Sequence, residues 1–449
     1  MSERNGSAHT GVAYRDPAPL VARIEAGDAV VAIVGLGYVG LPLAMAFAQA
    51  GLRTIGLDVD EARVAALRAG HSHVDDVPDD MLQAATAFEA TDDPAALDEA
   101  DAVFLCVPTP FDATKTPVLD YVRSAADTVA RHLHDGQLVI LQSTTFPGTT
   151  TEVVQPVLEE VSGKRAGIDF HLAYSPERVD PANTTWTLAN TPKVCGGVTP
   201  GCGEATRALL CTFLDDPSLV TVVSEPKIAE LSKLAENTYR AVNIAYVNEL
   251  AMLAHEMDVD IWEVLEASAT KPFGFQSFMP GIGPGGQCIP VNPYYISWKA
   301  REYDFHTSFI ELAGDINLRM ATYVMYRIHT FTTRLGINLS GAKVLCLGAA
   351  FKAGVSDVRN SRAVKVMELL QQEGAHVSFA DPLVHTLRLG DETLTAVDAD
   401  EPTLAGADLI VVLVRNAAWP VSQVLSVATP SFDAVNALGQ KSNATHERL

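Results

Sequence analysis

Ala29-Val30-Val31-Ala32-Ile33-Val34-Gly35-Leu36-Gly37-Tyr38-Val39-Gly40 is an apolar run that breaks into a glycine-rich turn, and an Ala/Leu-rich helical stretch follows from Leu41 to Ala50. Arg53 to Leu57 then reads as a second strand ending at Asp58, 18 residues beyond Gly40. Strand, G-x-G-x-x-G turn, helix, strand and acid, in that order, mark the start of a doubly wound α/β domain that holds a dinucleotide. The glycines permit a tight turn and close approach of a pyrophosphate, and the acid accepts hydrogen bonds from the adenosine ribose. A tight turn without a ligand uses the same glycines, so the flanking strand and helix carry the reading. Asp58 favours NAD over NADP, because a carboxylate repels a 2′-phosphate.

Working outward, apolar runs at Ala102–Val107 and Leu138–Leu141 alternate with helical segments, as in a parallel sheet wound with helices. From Pro226 to Ala267 the periodicity is helical throughout, and a helix is predicted over Lys227 to Met257. Gly and Pro then crowd Pro272 to Pro293, which reads as a loop too rich in breakers for regular structure. A third region repeats the opening order: a strand at Lys343–Leu347, Gly348-Ala349-Ala350, a strand at His376–Ala380 ending at Asp381, and a strand over Asp408–Val414. The expected fold class is α/β, two Rossmann-like doubly wound domains joined by a central all-helical domain. The expected boundaries are a flexible leader over 1–28, a dinucleotide domain over 29–215, a helical domain over 216–330 and a second α/β domain over 331–449.

The chain has 449 residues, 48% of them hydrophobic, which is enough for two or three cores. With 55 acidic against 32 basic residues the net charge is −23, so the long-range field repels nucleic acid and anionic membranes. A small phosphorylated ligand is still compatible, bound in a pocket by local amides and cations. The leader carries no basic start before an apolar run, and no uncharged stretch reaches the roughly 18 residues of a membrane span, so a cytoplasmic protein is expected. Six cysteines (106, 195, 202, 211, 288, 346) are scattered without a repeated C-x-x-C, and neither a disulfide framework nor a metal is expected. The pairs His71/His73 and His132/His134 lack further ligands nearby and read as solvated surface, and Cys195, Cys202 and Cys211 read as buried small residues.

Two other features have chemical readings. Cys288 sits in Gly283-Pro284-Gly285-Gly286-Gln287-Cys288-Ile289-Pro290, where a thiolate could attack an aldehyde and form a thiohemiacetal, then a thioester. From the loop alone a buried structural cysteine is equally compatible. Lys233 and Asn237, four residues apart on one helix face, could stabilise an alkoxide or oxyanion, although a solvated face has the same spacing.

From Val30 to about Trp419 the sequence resembles the UDP-glucose/GDP-mannose dehydrogenase family. The matching stretches are Val34–Pro42, Cys106-Val107-Pro108-Thr109-Pro110, Ser143-Thr144, Tyr174-Ser175-Pro176-Glu177-Arg178, Lys233–Asn237, the Cys288 loop, and Phe351-Lys352 with Asp357 and Arg359. The resemblance implies four-electron, NAD-dependent oxidation of the C6 hydroxymethyl of a nucleotide-activated hexose to the acid, with two NAD and one water consumed per turnover. It implies cofactor contacts at Gly35, Gly37, Tyr38, Val39, Gly40, Asp58, Arg63, Pro108, Thr109, Ser143 and Thr144. By the same resemblance Cys288 is the nucleophile, Lys233 and Asn237 stabilise the oxyanion, Glu177 is the acid/base group of thioester hydrolysis and Thr144 positions water or substrate. Substrate contacts are implied at Glu177, Arg178, Lys233, Asn237, Phe273, Phe275, Gly285, Lys352 and Arg359. A nucleotide-sugar substrate in the cleft between the two α/β domains and a homodimer through the central helices complete the expectation.

This chain departs from the family pattern at Asn292, four residues after Cys288, where an Asp is usual. An amide holds water but takes no proton near neutral pH, so the proton passes through Lys233, Glu177 or Asp180, or one step is slow. Gln287 stands where the nearest branch often has His. The stretch from Lys271-Pro272-Phe273-Gly274-Phe275 to Pro293-Tyr294-Tyr295 resembles the UDP-N-acetylhexosamine branch more than the UDP-glucose branch. Two other readings stay open at this point: a two-electron hydroxyacid dehydrogenase, and a non-catalytic nucleotide-sugar-binding homologue.

Overall fold

The computed structural model describes residues 14–112 and 114–449. The chain divides into two compact units after Leu234, inside one long helix.

In the first unit eight strands form one sheet: β1 (Val30–Val34), β2 (Arg53–Leu57), β3 (Phe88–Thr91), β4 (Ala102–Leu105), β5 (Leu138–Leu141), β6 (His171–Tyr174), β7 (Lys193–Gly197) and β8 (Val220–Val223). Their order is β3-β2-β1-β4-β5-β6-β7-β8, the doubly wound order with two strands added at one edge. All neighbours are parallel except β6 and β7, which run antiparallel. Helices α1 (Ala18–Glu25), α2 (Gly40–Gln49), α3 (Glu61–Arg68), α4 (Asp79–Ala84), α5 (Asp120–Arg131), α6 (Gln155–Ser162) and α7 (Pro200–Cys211) connect or cover the strands. The central strands are apolar runs because both faces are covered. Val31, Ile33, Phe104 and Ile140 enter one core with Leu41 and Phe47, while Ala32, Val34, Val103 and Val139 enter the other with Val122 and Val129.

Two expectations for this unit change. Residues 18–25 of the supposed flexible leader form α1, because Leu20 and Ile24 are buried in the first core; residues 1–13 lie outside the described residues. The sheet also continues past the expected boundary at 215, since β8 pairs with β7.

The second unit begins within α8 (Pro226–Glu256) and continues through α9 (Ile261–Ala269), α10 (Cys288–Ala300) and α11 (Ser308–Arg334), which passes the expected boundary at 330. It then builds a parallel sheet in the order β10-β9-β13-β14-β15, from β9 (Lys343–Leu347), β10 (His376–Ala380), β13 (Leu409–Val412), β14 (Ser431–Asp433) and β15 (His446–Arg448). Helix α12 (Arg362–Gln372) joins β9 to β10, and β11 (Thr386–Leu389) with β12 (Glu392–Thr395) makes a separate antiparallel pair. The reading of Pro272 to Pro293 as all loop is corrected here: α10 starts at Cys288, with Pro290 in its first turn, where a missing N–H costs nothing, and Pro293 inside it. Among the described residues no helix is long and apolar enough to cross a membrane.

The two sheets repeat each other down to single hydrogen bonds. The Gly35 amide donates to the Leu57 carbonyl and the Gly348 amide to the Ala380 carbonyl, each 2.8–2.9 Å. The Leu36 amide donates to Asp58 Oδ2 (2.7 Å), and the Ala349 amide to Asp381 Oδ2 (2.8 Å). At the next residue the halves part: the Ala350 amide also donates to Asp381 (3.2 Å), whereas the Gly37 amide has no acceptor among the described residues.

Candidate active site

The chain reverses its winding between β1 and β4, and at that switch point the glycine turn faces the loops that leave β4 and β5. A Cβ at Gly40 would lie 1.9 Å from the Gly35 carbonyl oxygen, so the first turn of α2 can press on the strand end only as glycine. A Cβ at Gly37 would meet nothing within 4 Å, and the amides of Gly37 and Val39 have no acceptor among the described residues. This is an open, donor-bearing rim that fits a pyrophosphate. Tyr38 and Val39 lie at its exposed edge. Asp58 is buried at the end of β2, where it also accepts from the Asp60 amide (3.0 Å) and from Arg63 Nη1 (2.9 and 3.0 Å). Arg63 therefore covers the oxygens a ribose hydroxyl would use and must give way to one. His73 lies beside this pair and is held neutral by burial and by the Arg63 charge.

The loops after β4 and β5 are tied together. Thr109 Oγ1 donates to the Thr144 carbonyl (2.8 Å), and Ser143 Oγ to the Val107 carbonyl (2.7 Å) and the Leu105 carbonyl (3.2 Å), while Pro108 is exposed between them. These residues share the rim with the glycine turn, since the Gly35 Cβ position lies 2.8 Å from the Cys106 carbonyl oxygen.

Glu177 follows β6 at the same sheet end. Its Oε1 accepts from Lys193 Nζ (2.8 Å) and from the amides of Arg178 (2.7 Å) and Val179 (2.8 Å), and its Oε2 accepts from Gln142 Nε2 (3.2 Å). Burial would raise its pKa, but the Lys193 charge and these hydrogen bonds outweigh it and hold the carboxyl below its ordinary range. Glu177 is therefore a carboxylate at neutral pH, fit to take a proton. Burial and the Glu177 charge push the neighbouring Cys106 thiol far up, which keeps it protonated and inert. Arg178 Nη1 donates to the Pro192 carbonyl (2.8 Å), and Asp180 lies in the loop beyond. Lys193 and Gln142 did not figure among the sequence candidates. The signal for Lys193 was a cation opening the apolar run Lys193-Val194-Cys195.

On α8, Lys233 is buried and makes no ion pair or hydrogen bond among the described residues. Asn237, one turn later, is 9% exposed, and its Nδ2 is buried without a partner. In the second unit Asn292 stands one turn after Cys288 on α10, also buried with an unpartnered Nδ2. Buried amide donors are rarely left unpaired, so both are suited to a substrate oxygen or a water. Of the six cysteines only Cys288 is exposed; it is the first residue of α10.

The glycines before Cys288 lie directly against the loop after β9. The Gly286 amide donates to the Arg359 carbonyl (3.2 Å), Asn360 Nδ2 donates to the Gly286 carbonyl (3.2 Å), and a Cβ at Gly285 would stand 2.8 Å from Phe351 Cβ. This loop carries the half-buried Lys352, and Arg359, whose guanidinium grips Asp357 in a bidentate pair (2.6–3.0 Å). Phe273 is 72% exposed beneath the Lys271 ammonium, whereas Phe275 packs into the helical cluster of Val247, Trp262 and Leu265. Phe275 is thus partly taken up by the helical core. One histidine of each pair is tied to an acid, His71 to Asp79 (3.1 Å) and His132 to Asp98 (2.9 Å), while His134 Nε2 meets the Ala100 carbonyl (3.0 Å).

Three profiles of the UDP-glucose/GDP-mannose dehydrogenase family match in sequence: the NAD binding domain over 29–214, the central domain over 227–319 and the UDP binding domain over 345–438. A UDP-N-acetyl-D-glucosamine 6-dehydrogenase of Pseudomonas aeruginosa is 36% identical over 80% of this chain and 83% of its own length. A UDP-N-acetyl-D-mannosamine dehydrogenase of Pyrococcus horikoshii is 34% identical over 85% of this chain and 88% of its own. The solved structure of a UDP-D-ManNAc dehydrogenase from that organism superposes with a TM-score of 0.83 at 31% identity, covering 93% of this chain and 98% of the other.

Proposed function

This chain belongs to the UDP-glucose/GDP-mannose dehydrogenase family, and we propose that it oxidises C6 of a UDP-N-acetylhexosamine to the carboxylate through a covalent intermediate on Cys288. The observation that carries the chemistry is Cys288, the exposed cysteine at the start of α10, its loop packed on the segment bearing Lys352 and Arg359. The sugar class rests on relatives named for N-acetylglucosamine and N-acetylmannosamine substrates.

Bound NAD supplies the hydride acceptor for both oxidations, one cofactor for each. The rim amides of Gly37 and Val39 would hold its pyrophosphate and Asp58 its ribose, with Thr109, Ser143 and Thr144 lining the same site. Lys233 and Asn237 donate to the alkoxide as the alcohol becomes an aldehyde. Cys288 Sγ then bonds to the aldehyde carbon, and the second oxidation turns the thiohemiacetal into a thioester. Water hydrolyses the thioester, losing a proton to Glu177. Asn292 takes no proton here; its amide holds the water or the sugar.

Counting NADH per nucleotide sugar tests this directly. Two equivalents with formation of the acid are expected, and one equivalent with a released aldehyde or ketone would overturn the four-electron course. Replacement of Cys288 by Ser should leave NAD binding intact and abolish acid formation, since a serine hydroxyl without a dedicated base is a poor nucleophile.

A homodimer through the central helices is part of the same proposal. Tyr239, Tyr246 and Leu253 recur every seventh residue on α8 and are 52–54% exposed, forming an apolar stripe along one helix face. Sedimentation of the wild type as a dimer and of Tyr246→Glu as a monomer is expected; a monomeric wild type refutes it.

A further inference from the structure

Within the first sheet β7 alone reverses direction against the strand before it. The reversal brings the first residue of β7, and not its last, to the carboxyl end of the parallel strands, where the cofactor and catalytic loops gather. That first residue is Lys193, 2% exposed, a position where an ammonium is costly unless it has work to do. Its Nζ lies 2.8 Å from Glu177 Oε1, and Ser175 Oγ donates to the Val194 carbonyl (3.0 Å), which stitches the Glu177 segment to the start of β7.

The bonds on the two carboxylate oxygens are unequal. Oε1 accepts three, from Lys193 and the amides of Arg178 and Val179, so its lone pairs are used. Oε2 accepts one, from Gln142 Nε2 at 3.2 Å. The groups that face Glu177 are thus Lys193 from β7, Cys106 after β4, Gln142 after β5 and the two amides of its own loop. Lys193 is the one cation among those that hydrogen-bond the carboxylate, and Cys106 stays a neutral thiol.

We propose that Lys193 is the positioning residue of Glu177, pinning Oε1 so that Oε2 is the oxygen that receives the proton of the attacking water. This rests on Glu177 acting as the base of thioester hydrolysis. In that step the water oxygen bonds to the thioester carbonyl carbon and its proton passes to Oε2. The C–S bond then breaks with its electron pair on Cys288 sulfur, and the proton on Glu177 returns to solvent or to that sulfur. No electrons leave the system, so no further co-reactant is needed. Lys193 keeps Glu177 ionised and its orientation fixed, and itself touches neither substrate nor cofactor.

The test uses the full chain with NAD and a UDP-N-acetylhexosamine as substrate. Turnover is followed from about pH 6 to pH 9 and the acyl adduct on Cys288 is measured by intact-protein mass. Glu177→Gln should accumulate the adduct; if it does not, the base reading fails and the role of Lys193 fails with it. If it does, Lys193→Met should accumulate adduct at the acid end and shift the acid limb of kcat upward by about one pH unit or more, roughly ten-fold at a given acid pH. KM for NAD should stay within about two-fold, and Lys193→Arg should restore most of the profile. An Lys193→Met enzyme that folds, binds NAD and keeps the wild-type profile would show that Lys193 only packs. Should that variant not fold, Lys193→Met/Glu177→Gln carries neither buried charge and decides the matter. Turnover equal to Glu177→Gln alone supports action through Glu177, and a further loss overturns it.

Discussion

Replacing Gly40 by Ala sets a methyl carbon 1.9 Å from the Gly35 carbonyl oxygen and 3.1 Å from Ile33 Cγ2. Ordinary contact is about 3.5 Å, so the start of α2 must retreat by more than about 1 Å. Hydrogen bonds from the rim amides to a pyrophosphate hold only over about 2.7–3.2 Å, and a shift of that size breaks them. Each such bond to a charged oxygen is worth about 1.5–3 kcal/mol, so losing one or two weakens NAD binding by about 100-fold. Overpacking also lowers stability by about 1–3 kcal/mol, which is why Gly37→Ala is the necessary companion. A Cβ there meets no protein atom, so Gly37→Ala should leave Tm within about 1 °C while crowding the ligand side of the turn. Titration calorimetry with NAD, beside thermal melts of both variants, separates the effects. NAD affinity within two-fold of wild type in Gly40→Ala would refute the assignment of this turn to the pyrophosphate.

Asp58→Asn should narrow the preference for NAD over NADP, because the repelling charge is lost while Arg63 remains beside it; an unchanged ratio of kcat/KM values would count against Asp58 as the ribose partner. Asn292→Asp should raise turnover by roughly ten-fold or more if the lost carboxylate once moved a proton, with the Kd for NAD unaltered. Turnover no higher at any pH in that variant would leave the proton with Glu177. His171 is buried beside Cys202, and burial, with the Arg15 charge, pushes its pKa down to about 4. The unfolded chain therefore binds this proton first, and stability is full above about pH 6.5 and falls toward pH 4, by about 2–3 kcal/mol at pH 4.5. Urea unfolding of His171→Gln should show a correspondingly flatter loss between pH 7 and pH 4.5, and an equally steep one would refute this.

The opening strand, glycine turn and Asp58 were legible because they are local: the apolar run, the breakers and the acid sit in one stretch, and short-range physics determines their form. The helical middle was legible from its period. The start of α10 was not, since Pro290 and Pro293 read as breakers although the first turn of a helix tolerates proline. Nor was α1, whose two buried residues, Leu20 and Ile24, find their core only through long-range packing. Strand direction leaves no mark in the letters of β7, so nothing local announced that Lys193 would meet Glu177. Nor did the letters show that Phe275, in the same motif as the exposed Phe273, packs against the helical cluster of Trp262 and Leu265.

The second sheet has the same glycine and the same acid at corresponding places as the first, but Asp381 takes two amides of its glycine turn, those of Ala349 and Ala350, where Asp58 takes one, that of Leu36. A single reassigned N–H therefore separates a turn with an amide to spare from one that spends it on its own acid. For protein engineering, the route to a second phosphate cradle in this chain is a change at position 381 that releases the Ala350 amide, with a smaller residue at 350, and no redesign of the backbone. Read in evolutionary terms, copies of one fold can diverge in ligand preference without any change in topology, by altering which donors the fold spends on itself.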